Sequence, residues 1–354
     1  MNGASSENKI MTKASLSAWT RLFDATDRIK EYELWKVFCE VDLAEITLPE
    51  DIEPYYCCIS GMYESPKGIS IYRGHKGLIS FSHYVNSVEL PDYISDSKRN
   101  CLECTWGARK DLRKKDMEIL RACERKYRGA EAWPLYRKHE QGYEPWFLRD
   151  EDVVILARVL EELAKAAEQL VASDMVSAIT AGYRIGRRFD FTEAQYVNEF
   201  LPPLEKIEAM TEGCIITDEV LIRRLKKRPS EGSVMEFDMP FFPMSVKSKG
   251  RDPRPFFPRM CIMCDTEKGI VTEHYMISRY DDPRDVALGI IIHHIENKGR
   301  PSTIFVRDPE IYGIISHLCS SVDVEVFFTP ALNMLDYFLN DMVEALSDED
   351  ENDF

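Results

Sequence analysis

The chain has 354 residues, 44% of them hydrophobic, ten cysteines and a formal charge of −16. That length holds two domains with cores of their own, and the apolar content excludes a disordered polyelectrolyte. The acidic balance argues against a protein that grips phosphate backbones through a broad basic footprint.

Residues 1–11 form a polar tail expected to be disordered, without the apolar region of an export signal. No apolar run approaches the ~20 residues of a membrane span. A cytoplasmic location without membrane contact is therefore expected, where cysteines remain reduced thiols.

Residues 12–172 read as an α+β domain. A helix is predicted over 12–38, where Leu16, Trp19, Leu22, Phe23, Ile29, Leu34 and Trp35 supply an apolar stripe. Asp51 to Pro54 then introduces strands around 55–62 and 68–72, and the Gly-containing stretch Tyr72 to Leu78 turns into a helix ending near Asn86. Cys101 to Trp106 reads as another strand. A basic helix follows from Arg113 to Tyr127, preceded by Arg109 and Lys110 and followed by Arg128.

Residues 133–148, WPLYRKHEQGYEPWFL, are dense in rings and prolines and are expected on irregular backbone. Trp133, Tyr136, Arg137, Tyr143 and Trp146 are candidate binding residues: rings would stack on a ligand, and cations would hold an acid. The competing reading is a buried loop whose rings cover a core. A helix over 150–171 carries Leu156, Leu160, Leu163, Ala167 and Leu170 on one face.

Residues 173–232 read as a helical, basic connector, with a weak helical signal over 193–210. Arg223, Arg224, Lys226, Lys227 and Arg228 place five cations in six residues. Such a run contacts phosphate or an acidic partner, the chain's own acidic tail included, or is simply a solvated face.

Over 233–346, strands at 234–238, 258–264 and 270–277 precede a helix from Pro283 to about Asn297, a strand at 302–306, a helix from Pro309 through Leu318, a strand at 323–329 and a helix over 331–346. The order βββαβαβα resembles the ribonuclease-H-like fold of nucleases, integrases and transposases, so the fold class is α+β and α/β mixed in two domains. Such enzymes hold two Mg²⁺ or Mn²⁺ ions with carboxylates on the first strand, at the end of the fourth and on a late helix. Asp238, Asp308 and Asp336 occupy those places and are the candidate catalytic and metal-ligating residues. Against this, Asp308-Pro309 is an ordinary N-cap followed by proline at the first helical position. The segment carries seventeen acidic against eleven basic side chains, and the tail 347–354, expected to be disordered, adds five acids.

Two Cys-x-x-Cys pairs, Cys101/Cys104 and Cys261/Cys264, suggest a four-thiolate zinc site. Cys261 and Cys264 lie on a predicted strand, where three-residue spacing sends side chains to opposite faces, so buried thiols are expected instead.

Together, Tyr72-Arg73-Gly74, Trp133 to Arg137, Gly142 to Leu148, Arg254 to Pro258 and Val306 to Glu310 resemble a bacterial family of two-domain proteins of unknown function. That resemblance implies the two-domain plan but no activity and no catalytic residues. The sequence therefore favours a cytoplasmic binding or adaptor protein, without a cofactor, whose ribonuclease-H-like domain is catalytically silent and whose partner is a protein or a small acidic ligand. The alternative is a metal-dependent nuclease or integrase-like enzyme, either acting alone or as a host-defence or mobile-element component that needs a partner.

Overall fold

Two long amphipathic helices and a seven-stranded sheet build the first of two compact units, Met1–Glu89, Lys98–Gln141 and Pro145–Ile207. The computed structural model describes residues 13–63, 66–86, 98–172, 179, 182–204, 213–242, 244–247, 254–278 and 281–351; the expected tail 1–11 lies outside them. The sheet comprises β1 (Leu43–Thr47), β2 (Tyr55–Ser60), β3 (Gly68–Arg73), β4 (Cys101–Gly107), β5 (Trp133–His139), β6 (Arg184–Asp190) and β7 (Gln195–Leu201). Their order is β5-β4-β3-β2-β1-β6-β7, parallel at β1–β6 and antiparallel at the other pairings.

Strand alternation sorts the side chains between two layers. Ala44, Ile46, Cys57, Ile59, Ile69, Ile71, Cys104 and Trp106 share one core with α1 (Lys13–Glu31) and α4 (Asp150–Ala172). Leu43, Tyr56, Cys58, Tyr72 and Cys101 face the other way, against Leu78 and Phe81 of α2 (Gly74–Asn86). A short helix α3 (Lys114–Ala122) precedes β5.

Several expectations need correction. The first helix stops at Glu31 because Glu33 adopts φ 45°, and one 3₁₀ turn, Leu34–Lys36, follows. The basic helix ends at Ala122 rather than Tyr127. Trp133–His139 is a strand, paired along its whole length with β4, where irregular backbone was expected. Within the expected 193–210 helix the described residues 193–204 are not helical, and 205–210 lie outside the described residues: β6 and β7 form a hairpin whose turn sets Ala194 at φ 51°. Residues alternating between sheet faces were masked there by polar and charged types that weaken the period-2 signal.

The second unit is Leu90–Ser97, Gly142–Glu144 and Glu208–Phe354. It contains α5 (Glu219–Lys226), β8 (Val234–Asp238), β9 (Arg259–Asp265), β10 (Ile270–Ile277), α6 (Pro283–Lys298), β11 (Thr303–Val306), α7 (Pro309–Ser321), β12 (Glu325–Phe328) and α8 (Asn333–Glu351). The sheet order is β10-β9-β8-β11-β12; β8, β9 and β10 are antiparallel, while β8–β11 and β11–β12 are parallel. This mixed sheet is consistent with the ribonuclease-H-like order. Met235 and Phe237 of β8 share a core with α6 and α7. Met260, Ile262 and Cys264 of β9 meet Leu335 and Leu339 of α8 on the opposite face. Helix α8 runs to Glu351, through the first part of the segment expected to be disordered. Among the described residues no helix is long and apolar enough to cross a membrane.

Candidate functional site

Strand β8 turns Met235 and Phe237 toward one layer, so by its period of two Glu236 and Asp238 fall on the α8 side. Both are buried, at 8% and 5% exposure, and a buried carboxylate needs donors. Glu236 Oε2 accepts the backbone N–H of Leu335 at 2.9 Å, satisfying one of the unpaired amides in the first turn of α8. Asp238 Oδ1 accepts the N–H of Met239 at 2.8 Å.

The other oxygen of Asp238 meets an arginine. Arg307 follows β11 and donates from Nε to Asp238 Oδ2 at 2.7 Å and from Nη1 to Asp336 Oδ1 at 2.6 Å. One guanidinium thus lies between two of the three predicted metal ligands. Burial works against the Arg307 cation, but the charges of Asp238 and Asp336 outweigh it and hold its pKa above the ordinary value. An arginine stays protonated in any case, so it serves as a permanent counter-charge.

Asp308 is turned to another task. Its backbone is extended at φ −100°, and Oδ1 accepts the N–H of Glu310 at 2.8 Å, capping α7 with Pro309 in its first turn. The structure therefore brings Asp238 and Asp336 together on Arg307, and gives Asp308 a capping bond of its own. As arranged, this donor set does not fit a pair of divalent ions: the space between two of the acids holds a cation, and the third acid caps a helix. Arg307 is the residue that sequence reasoning missed. The available signal was parity, because Phe305 packs on the α8 side and Arg307 is two residues on.

The cysteine pairs are split between layers. Cys261 belongs to the core shared with α6 and α7, and Cys264 to the one shared with α8. Cys101 and Cys104 divide in the same way across the first sheet. No group of three or more metal-ligating side chains occurs among the described residues.

Of the five aromatic-segment candidates, four lie in the first unit and Tyr143 lies in the second. Tyr136 is buried in the first core, its hydroxyl 2.9 Å from Thr26 Oγ1, with its ring edge-on to Trp19 and Phe23. Arg137 is buried and makes a two-point ion pair with Asp116 at 2.9 and 2.8 Å. Trp133 packs edge-on against Tyr127 at the margin of that core. Trp146 is half-buried, and its backbone exchanges hydrogen bonds with Lys138 at 2.8 and 2.9 Å. Tyr143 belongs to the second unit, where its ring tilts against Phe256 and lies 4.1 Å from the Arg254 guanidinium.

The basic run on α5 is largely neutralised: Arg223 pairs with Glu219, Arg224 with Glu296 and Lys226 with Asp323. In the first unit a cavity of about 180 Å³ is lined by Tyr55, Arg73, Lys138 and Asp152 among others, and both cations are paired, Arg73 with Asp51 and Lys138 with Asp152.

Residues 19–185 match a family model described as a domain of unknown function (DUF7309), and residues 221–343 match a second domain of unknown function (DUF6930). No curated protein matches the chain. Among solved structures, it is similar to a chain of the simian T-cell lymphotropic virus intasome in complex with PP2A regulatory subunit B56 gamma, at 20% identity and a TM-score of 0.25. That match covers 35% of this chain and 45% of the intasome chain, less than half its length. It is also similar to the HTLV-2 integrase catalytic core domain in complex with magnesium, at 13% identity and a TM-score of 0.25, covering 34% of this chain and 73% of that one.

Proposed function

We infer that the chain is a cytoplasmic binding or adaptor protein in which a ribonuclease-H-like sheet serves as scaffold rather than as a metal-dependent catalyst. The observation that carries this reading is the Arg307 guanidinium between Asp238 and Asp336, with donor distances of 2.7 and 2.6 Å. Divalent-metal catalysis needs carboxylates that face each other across a space a cation can enter. Here a side chain already supplies the positive charge, and the adjoining acids Glu236 and Asp308 are engaged by the amides of α8 and α7. The same contacts tie β8, the end of β11 and α8 together without a metal ion.

The test is a cleavage assay on single- and double-stranded DNA and RNA with excess magnesium or manganese. Wild-type protein is expected to cleave no faster than the Asp238→Asn/Asp336→Asn variant. Metal-dependent cleavage that disappears in that variant would overturn the reading and establish the nuclease or integrase-like alternative.

A further inference from the structure

Cations in the first unit are mostly matched by acids: Arg21 pairs with Glu161, Arg28 with Glu168, Arg137 with Asp116 and Arg187 with Glu162. The segment from Arg109 to Lys115 departs from this. Arg109, Lys110, Arg113, Lys114 and Lys115 are all exposed, and none has a carboxylate within ion-pair distance among the described residues. Of the nearby acids, Asp111 and Asp116 are already engaged, while Glu118, one turn along α3, forms no ion pair with these cations among the described residues. Asp111 Oδ2 accepts the N–H of Ala108 at 2.7 Å, while Asp116 accepts the N–H of Arg113 at 2.8 Å as well as the Arg137 fork.

Rings hold three of these cations instead. Lys115 Nζ lies 4.6 Å from the Phe147 centroid; the Arg113 guanidinium is 5.8 Å from Phe147 and 5.6 Å from Trp146. Arg109 is 5.9 Å from Trp133. The three rings are half-buried and carry their cations at the surface, so positive charge is presented in fixed positions. This placement costs stability twice: the cations repel one another, and Arg113, Lys114 and Lys115 stand at the positive end of α3, where acids are favoured. A run of like charges that breaks local rules and that no carboxylate offsets marks functional surface.

We propose that this surface, formed by Arg109 to Lys115 with Trp146 and Phe147, docks an acidic peptide segment of a partner protein. The proposal deepens the binding-protein reading above, and its failure is separately legible because that reading is judged by cleavage. Two features favour a peptide over a nucleic acid. Cations already stand over the ring faces, so bases have no open platform on which to stack. A chain at −16 repels a long polyanion, whereas a short acidic segment within a Debye length of about 8 Å meets the local patch. Tryptophan and arginine are also the side chains that dominate protein interfaces.

The experiment is fluorescence anisotropy of the 354-residue chain with a labelled oligoglutamate and, separately, a labelled oligothymidylate of equal charge. Oligoglutamate is expected to bind, more weakly at about 200 mM than at about 50 mM salt. Arg113→Glu/Lys115→Glu is expected to lose about tenfold or more in affinity, and Trp146→Ala to lose less, through the freed Arg113. The control Lys227→Glu/Arg228→Glu, in the other basic run, should bind as wild type does; all these variants are compared at matched melting temperature. Absence of oligoglutamate binding at low salt, or charge reversal without effect, overturns the proposal. Oligothymidylate binding tenfold tighter than oligoglutamate overturns it in favour of a nucleic-acid surface.

Discussion

Arg307 Nε lies 2.7 Å from Asp238 Oδ2, and this contact joins the segment after β11 to the end of β8 on the side of the sheet that α8 covers. Both side chains are largely withdrawn from water, at 15% and 7% exposure, so each depends on the other for its charge balance.

Truncating one member of such a pair strands the other. Arg307→Ala is expected to destabilise the protein by about 3 kcal/mol, mostly through the unpaired Asp238. Asp336 contributes less, because water reaches it. Urea denaturation of the wild type, Arg307→Ala and Arg307→Ala/Asp238→Ala checks this. If the double variant is no more stable than the single one, the pair is not the source of the loss.

Removing the α7 cap should have a smaller and purely structural effect. Asp308→Ala is expected to cost about 1 kcal/mol, and Asp308→Asn only a fraction of that, since asparagine caps nearly as well. Thermal melts of the two variants decide it; equal losses would point to a charge role for Asp308 instead of a capping one.

Stability should decline in two steps as pH falls. Burial pushes His294 below its ordinary 6.5, with Glu273 opposing and Lys298 assisting, so below that pH the unfolded chain binds the proton more readily than the folded one. Its contribution is complete above pH 6.5 and is lost below it. Burial raises Glu103, but the hydrogen bond and charge of His139 and those of Arg99 outweigh that and hold its carboxyl well below the usual range. That contribution is complete above about pH 4.5 and decays at lower pH. Denaturation at a series of pH values should show His294→Gln flattening the first decline and Glu103→Gln the second; unchanged slopes would remove these residues as the cause.

Thiol reactivity should divide the cysteines by burial. Cys57, Cys58, Cys101, Cys104, Cys261, Cys264 and Cys319 are buried, and burial pushes the Cys58, Cys261, Cys264 and Cys319 thiols up to about 12. A native aromatic-disulfide titration is expected to label Cys39, Cys123 and Cys214 first, with all ten reacting after denaturation. Tightly bound zinc should stay below about half an equivalent, and a full equivalent would contradict the split of the pairs between sheet faces.

Much of the second unit was legible along the chain. Short apolar strands, the Asp-Pro helix starts and the opposed faces of Cys261 and Cys264 are local properties, set by backbone periodicity and by capping within a few residues. The first unit was harder. Its β1–β6 pairing joins Ala44 to Ile185, its charged β6–β7 hairpin lacks a clean apolar alternation, and its ring-rich β5 becomes a strand only because β4 offers a full ladder of partners.

The sequence by itself determined which acids stand at the ends of β8 and β11 and at the start of α8. What those acids do was decided by tertiary structure. Only when β8, β11 and α8 meet does the Arg307 side chain reach two carboxylates at once, 69 and 29 residues away, and a buried charge takes whichever partner the fold brings within hydrogen-bond distance.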